Sequence, residues 1–252
     1  LAPIPFKPEG KTNQPIYEGQ WDFTLAEDPS GQNAGLKRRL IVLENGEAIL
    51  LGECMISYGF LSPVAGSTTG RWQFKFSGRP MFNDGTACPT SPGIYPYQVD
   101  YLESEIDTVT GIMTFNETIT RNGEATSVTW RGENNNAQYD VAPAPVAGTY
   151  VDLEYSNTVT VDNNGQFTYV LTGSPSSDYF SATLTAAKDK NYYTINGGYS
   201  IFGTDISGYA IPTDFYGDTR LVVNFFGDQI QGDSLPPLKS GLSRVWTPLQ
   251  QE

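Results

Sequence analysis

The sequence predicts an all-β protein built from two tandem antiparallel units, each of them a β-barrel or a β-sandwich. Only 17% of the 252 residues are charged, while glycine and aromatic residues are abundant. Apolar and polar residues alternate with a period of two, and similar strand and turn patterns occur on both sides of a Pro/Ala segment. That segment predicts extended backbone and hence a linker. The predicted divisions are an extended Pro-rich arm (1–16), a first β domain (17–140), the linker (141–147) and a second β domain (148–252).

The arm cannot be helical, because it contains four prolines among apolar residues. Ile4 and Phe6 occupy alternate positions, as residues that become buried would. Two alternatives follow: the arm packs on its own domain, or it is donated to the open edge of a neighbouring molecule.

The first unit opens with a half-buried strand, since Trp21, Phe23 and Leu25 alternate with polar residues. A turn-rich basic stretch is expected around 37–39. Asn45 and Gly46 lie between two apolar runs and predict a hairpin. The further predicted elements are strands at 71–76, 97–106, 111–120 and 127–131, a long irregular loop at 79–96 and a second Asn-Gly hairpin at 122–123.

The second unit repeats this order with an offset of about 129 residues. Tyr150 follows Gly148 as Trp21 follows Gly19, and 159–167 repeats the sequence of apolar run, Asn-Gly turn and apolar run. Further strands are predicted at 179–184, 192–195, 206–211 and 220–226. The regular hairpin spacing favours closed barrels over sandwiches.

The first unit also resembles a lipocalin-type barrel at three residues. Gly19 and Trp21 match its opening Gly-x-Trp strand, and Arg131 is similar to the late Arg that packs over the Trp in that family. The second unit has Tyr150 in place of the Trp. The resemblance implies barrel closure and nothing about a ligand.

Charge and cysteine content indicate an exported protein. The net charge of −13 is shared as about −7 up to residue 140 and −6 after it, which excludes a basic surface for nucleic acid and favours a dispersed secreted protein. The chain starts at Leu1, as though a targeting segment had been removed.

Cys54 and Cys88 predict a disulfide closing about 35 residues and contributing about 3–4 kcal/mol, with two free thiols as the alternative. We expect a secreted, cell-surface or periplasmic location, with no membrane span because no long apolar run occurs.

The absence of histidine limits the available chemistry. Ser-His-Asp and Cys-His catalysis are excluded, as are metal sites built on imidazole. Glu103, Glu105 and Asp107 would lie on one strand face, roughly 7 Å apart, where a carboxylate pair could hydrolyse a glycoside. A solvated acidic strand face explains them equally simply and is the interpretation we favour.

Two kinds of binding site are compatible with the sequence. Calcium takes oxygen ligands, which Asp162 and Asn164 and the turn at 83–85 could supply, although neither turn has the full calcium-loop spacing and both have a conformational explanation. Aromatic residues crowd the second unit and could stack on sugars, or could simply form a tyrosine-rich core. The ligand-binding candidates are Tyr192, Tyr193, Tyr199, Tyr209 and Tyr216.

No residue set demands catalysis. The sequence therefore predicts a non-enzymatic extracellular or cell-surface protein that works as a binding or assembly module, with the arm docking on its own or another subunit. The alternatives are a glycan or small-ligand barrel and a carboxylate-only hydrolase active at acid pH.

Overall fold

The prediction of two antiparallel β units is confirmed, and both are closed barrels. The computed structural model describes residues 18–44, 46–52, 55–63, 71–80, 99–107, 112–121, 124–152, 157–170, 179–199, 207–226 and 241–249. Two compact units separate between Tyr139 and Asp140, and each unit contains one barrel of eight strands.

The first barrel is a simple meander in which each strand pairs with the next, and the eighth pairs with the first to close the sheet. Closure removes the unpaired strand edges that would otherwise invite association. Its strands are β1 (Gly19–Glu27), β2 (Lys37–Val42), β3 (Glu47–Leu51), β4 (Met55–Pro63), β5 (Arg71–Pro80), β6 (Val99–Asp107), β7 (Ile112–Arg121) and β8 (Glu124–Asn134).

Alternate positions of these strands point inward and fill the barrel with side chains. The rings of Phe23 and Phe115 meet edge to face with centroids 4.8 Å apart, and Phe115 stacks on Trp130 at 6.2 Å. An eight-stranded barrel is just wide enough for such filling. The buried core cluster comprises Trp21, Phe23, Leu40, Val42, Ala48, Leu50, Leu61, Met113, Phe115, Val128 and Trp130.

The basic stretch at 37–39 was expected to form a turn, and that prediction is wrong. All three residues belong to β2, because the two arginines have carboxylate partners on other strands of the barrel. Arg38 points inward and pairs with Glu117 of β7 at 3.1 Å, while Arg39 pairs with Asp22 of β1 on the outer wall at 2.5 Å. Paired in this way, cations can occupy a central strand.

The arginine expected over a tryptophan also differs from the lipocalin pattern. Arg131 is exposed, and the guanidinium of Arg38 lies over the ring of Trp130 at 4.7 Å from its centroid. The pair therefore differs from the lipocalin one in both members, because the cation comes from β2 and the ring is that of Trp130 in β8 instead of Trp21 in β1.

A short helix, α1 (Asn136–Tyr139), follows β8 and packs against the start of β1. The backbone N–H of Asn135 donates to the carbonyl of Gln20 at 2.7 Å, and the buried Tyr139 donates its hydroxyl to Glu18 at 3.4 Å. The helix thus fixes the chain as it leaves the first barrel.

The second barrel is a meander of the same kind, closed by pairing between its first and last strands. Aromatic rings dominate its interior: Trp246 lies 5.3 Å from Phe167 and 5.7 Å from Phe225. Its strands are β9 (Gly148–Asp152), β10 (Thr158–Val161), β11 (Gln166–Val170), β12 (Tyr179–Ala186), β13 (Tyr193–Tyr199), β14 (Ser207–Thr213), β15 (Arg220–Phe226) and β16 (Gly241–Pro248).

Several predicted features lie outside the described residues: the arm, both cysteines of the predicted disulfide (Cys54 and Cys88), and the turn at 83–85. The side chains of Glu103, Glu105 and Asp107 are also outside, although the strand predicted for them is present as β6. No helix in the described part of the chain is long and apolar enough to cross a membrane.

Candidate binding site at the turn end of the second barrel

The second barrel has one end formed by short turns, which we call the turn end. There β9 begins at Gly148, and the hairpins β10–β11, β12–β13 and β14–β15 reverse direction at 162–165, 187–192 and 214–219. The segment 142–147 reaches this end directly before β9 and has no regular secondary structure.

Within this segment, residues 142–146 (the docked segment) bury every third residue. Pro143 is buried and Val146 is 8% exposed, whereas Ala144 and Pro145 between them are exposed. Val146 belongs to the core cluster of the second barrel. Polyproline II backbone repeats every three residues, so one apolar edge of such a segment can face a surface while the other edges face water.

Two tyrosines hold the backbone of the docked segment. Tyr150 donates its hydroxyl to the carbonyl of Val146 at 2.8 Å, and Tyr193 donates to the carbonyl of Ala144 at 2.5 Å. Both rings belong to the core cluster, and both residues are at most 7% exposed. The barrel interior therefore supplies two positioned hydrogen-bond donors to carbonyl groups of an extended peptide.

Both hydroxyls are protonated at neutral pH, far below the ordinary tyrosine pKa of about 10, and burial raises that pKa further. Burial raises the pKa of Tyr150 above its ordinary value of 10.0, and the charge that Tyr193 would carry raises it further. Burial likewise raises the pKa of Tyr193. At neutral pH both groups are thus donors and not bases.

An ion pair at the edge of the turn end adds a weaker contact between the chain just before the docked segment and the second barrel. Lys190, in the β12–β13 turn, lies 2.6 Å from Asp140. The Asp140 side chain is 38% exposed, so solvent screens the pair and its contribution is at most about 1 kcal/mol.

The five predicted tyrosines do not form one site. Tyr193 points into the core, whereas Tyr192 and Tyr209 form a half-buried edge-to-face pair on the outer wall, with centroids 6.0 Å apart. Tyr216 lies in the β14–β15 turn, where the guanidinium of Arg220 covers its ring at 5.3 Å. Tyr199 is in β13, but its side chain lies outside the described part.

The predicted metal ligands Asp162 and Asn164 lie in the β10–β11 turn at the same end. One oxygen of Asp162 accepts the backbone N–H groups of Asn164 and Gln166, both at 2.8 Å. Its carboxylate thus has a turn-forming function. The described residues contain no group of three or more acidic or cysteine side chains arranged to hold a metal, and calcium stays a prediction.

Two inward-facing polar networks, one in each barrel, were not predicted from the sequence. In the second barrel, the fully buried Asp152 accepts the hydroxyl of Tyr169, which in turn accepts Asn157 at 2.8 Å. In the first, Trp130 donates to Glu117, the partner of Arg38, at 2.8 Å. The sequence signal that could have revealed both is an acidic residue at a strand position that alternation predicts to face inward, together with the apolar residues.

No protein-family model matches the chain, and neither the curated proteins nor the solved structures include a significantly similar one. The function is therefore argued from the geometry of the turn end.

Proposed function

We propose that the protein is a non-enzymatic extracellular or cell-surface module that binds extended Pro-rich segments and assembles through them. The observation that carries this proposal is the pair of hydroxyls, on Tyr150 and Tyr193, that hold two carbonyls of the docked segment. Recognition of extended Pro-rich backbone commonly uses aromatic residues with such donors.

The chemistry of the turn end supports binding in preference to catalysis. Its two hydroxyls are protonated at neutral pH, as ordinary tyrosines are, and burial raises their pKa further, so neither is an activated nucleophile or a general base. The described interiors of both barrels are occupied by closely packed rings, which favours recognition at a barrel end over ligand binding inside the barrel.

The N-terminal arm is the segment that we propose for assembly, since its Pro-rich composition is the kind that favours extended backbone. The test is light scattering coupled to gel filtration on the full chain and on a variant lacking residues 1–16. We expect a defined oligomer that becomes a monomer on deletion, with unchanged circular dichroism. A strictly monomeric full-length protein contradicts the proposal.

Glycan binding is a second candidate, favoured by the outer-wall pair Tyr192 and Tyr209. It predicts a thermal shift with some member of a glycan panel that Tyr209→Ala reduces. The hydrolase alternative requires turnover on glycosides between about pH 3 and 6, the range in which one carboxyl of a pair is protonated.

A further inference from the structure

The pattern of the docked segment occurs twice in the chain. Residues 142–146 read Ala-Pro-Ala-Pro-Val, and residues 2–6 of the arm read Ala-Pro-Ile-Pro-Phe. We propose that the turn end of the second barrel is a binding site for the pattern Ala-Pro-x-Pro-apolar, and that residues 2–6 of a second copy of this chain are its ligand. This inference rests on the proposed function and names the site and the ligand that the function requires.

The two segments match at the two positions that are buried in the docked segment. The buried positions of the docked segment are Pro143 and Val146, and the arm has Pro3 and Phe6 at the matching positions. The central residue x differs, Ala144 against Ile4, but Ala144 is exposed. A substitution there changes no contact with the core, so the site would accept either residue.

The polar contacts do not depend on side-chain identity. Tyr193 donates to the backbone carbonyl at the third position of the pattern, and Tyr150 donates to the one at the fifth. Any segment that follows the same three-residue repeat presents carbonyls at those positions. The prolines favour that conformation before binding, which lowers the entropy lost on docking.

The docked segment competes with the arm for the same site. Because the docked segment is covalently attached, its effective concentration there is on the order of millimolar. Its described polar contacts with the barrel are two neutral hydrogen bonds, which are individually weak. Phe6 offers more apolar surface than Val146. In a reciprocal dimer, binding of one arm also brings the other arm close to the site on the opposite copy. Both effects favour exchange between copies.

The test uses full-length protein and measures molar mass by light scattering over a wide concentration range. We expect a dimer for the wild type and a monomer for both Phe6→Asp and the double variant Tyr150→Phe/Tyr193→Phe, which keeps the rings and removes the donors. Tyr209→Phe is the matched control and should remain a dimer, because its ring lies on the outer wall.

A second measurement covers the case in which the double variant misfolds. The Phe6→Asp/Pro143→Asp variant has neither a functional arm nor a functional docked segment. A fluorescein-labelled peptide of residues 1–10 should bind it with a saturable rise in anisotropy, and the same peptide with Phe6→Asp should not. Equal anisotropy curves for the two peptides would overturn the inference.

The outcomes separate the two proposals. If Phe6→Asp is monomeric while a folded Tyr150→Phe/Tyr193→Phe variant stays dimeric, the arm assembles at another surface: the turn-end inference fails and the proposed function stands. If the full-length wild type is monomeric at every concentration, the proposed function fails as well.

Discussion

Removing Glu117 from the first barrel should cost a large part of that barrel's stability. Its carboxylate lies against the guanidinium of Arg38 at 3.1 and 3.3 Å and accepts the indole N–H of Trp130 at 2.8 Å. Their side chains are only 9% (Arg38) and 13% (Glu117) exposed. Glu117→Leu leaves a buried guanidinium without its carboxylate partner.

The expected loss is that of breaking a buried ion pair by removing one partner, about 3–5 kcal/mol. Arg38→Met/Glu117→Leu removes both charges and should recover about half of it. About 1–3 kcal/mol should remain lost, because the indole N–H of Trp130 still lacks an acceptor. These values are large against a typical domain stability of about 5–15 kcal/mol.

The assay is urea denaturation followed by tryptophan fluorescence and circular dichroism, with Lys190→Met as the control. That variant breaks an exposed ion pair in the second barrel and should cost at most about 1 kcal/mol. A Glu117→Leu variant as stable as this control, or a double variant no more stable than Glu117→Leu, would refute the reasoning.

Three further predictions concern pH and packing. The raised pKa values of Tyr150 and Tyr193 mean that their stabilisation is complete below pH 10 and is lost as pH rises through the folded-state values, so Tyr150→Phe/Tyr193→Phe should flatten an alkaline unfolding curve. Asp28 has its pKa raised by desolvation but lowered more by four hydrogen bonds, to about 2. Its contribution should fade as pH falls from about 4 to 2, and Asp28→Asn should lose that part of the acid transition. Gly132→Ala would place its Cβ 2.4 Å from the ring of Phe23 and should lower the free energy of unfolding by about 1–3 kcal/mol, as measured by urea denaturation.

Local sequence signals predicted most of the strands. Alternation revealed β1 through Trp21, Phe23 and Leu25, and the Asn-Gly pair at 45–46 correctly placed the β2–β3 hairpin. β4 was missed, since its Ser and Gly positions interrupt the alternation and it gains its place by pairing with β3 and β5. The start of β2 was missed because the partners of its arginines are far away in sequence.

The binding site was predictable only in part. Tyr193 was a candidate because aromatic residues crowd the second unit, but its role depends on Ala144, which is 49 residues away. Tyr150 was recognised as the counterpart of Trp21 and not as a donor. The segment 141–147 was interpreted as a spacer, since composition indicates extended backbone without indicating what lies beside it.

The residues that connect the two barrels, 135–146, thus make specific contacts of their own. Residues 135–139 pack on the start of β1, and the docked segment is held by Tyr150 near the start of β9. These two sets of contacts share no residue. Displacement of the docked segment would therefore leave the contacts of α1 intact. Exchange at the turn end should change the environment of Trp246, because its ring lies 6.4 Å from that of Tyr150. The environment of Trp130 in the first barrel should stay unchanged.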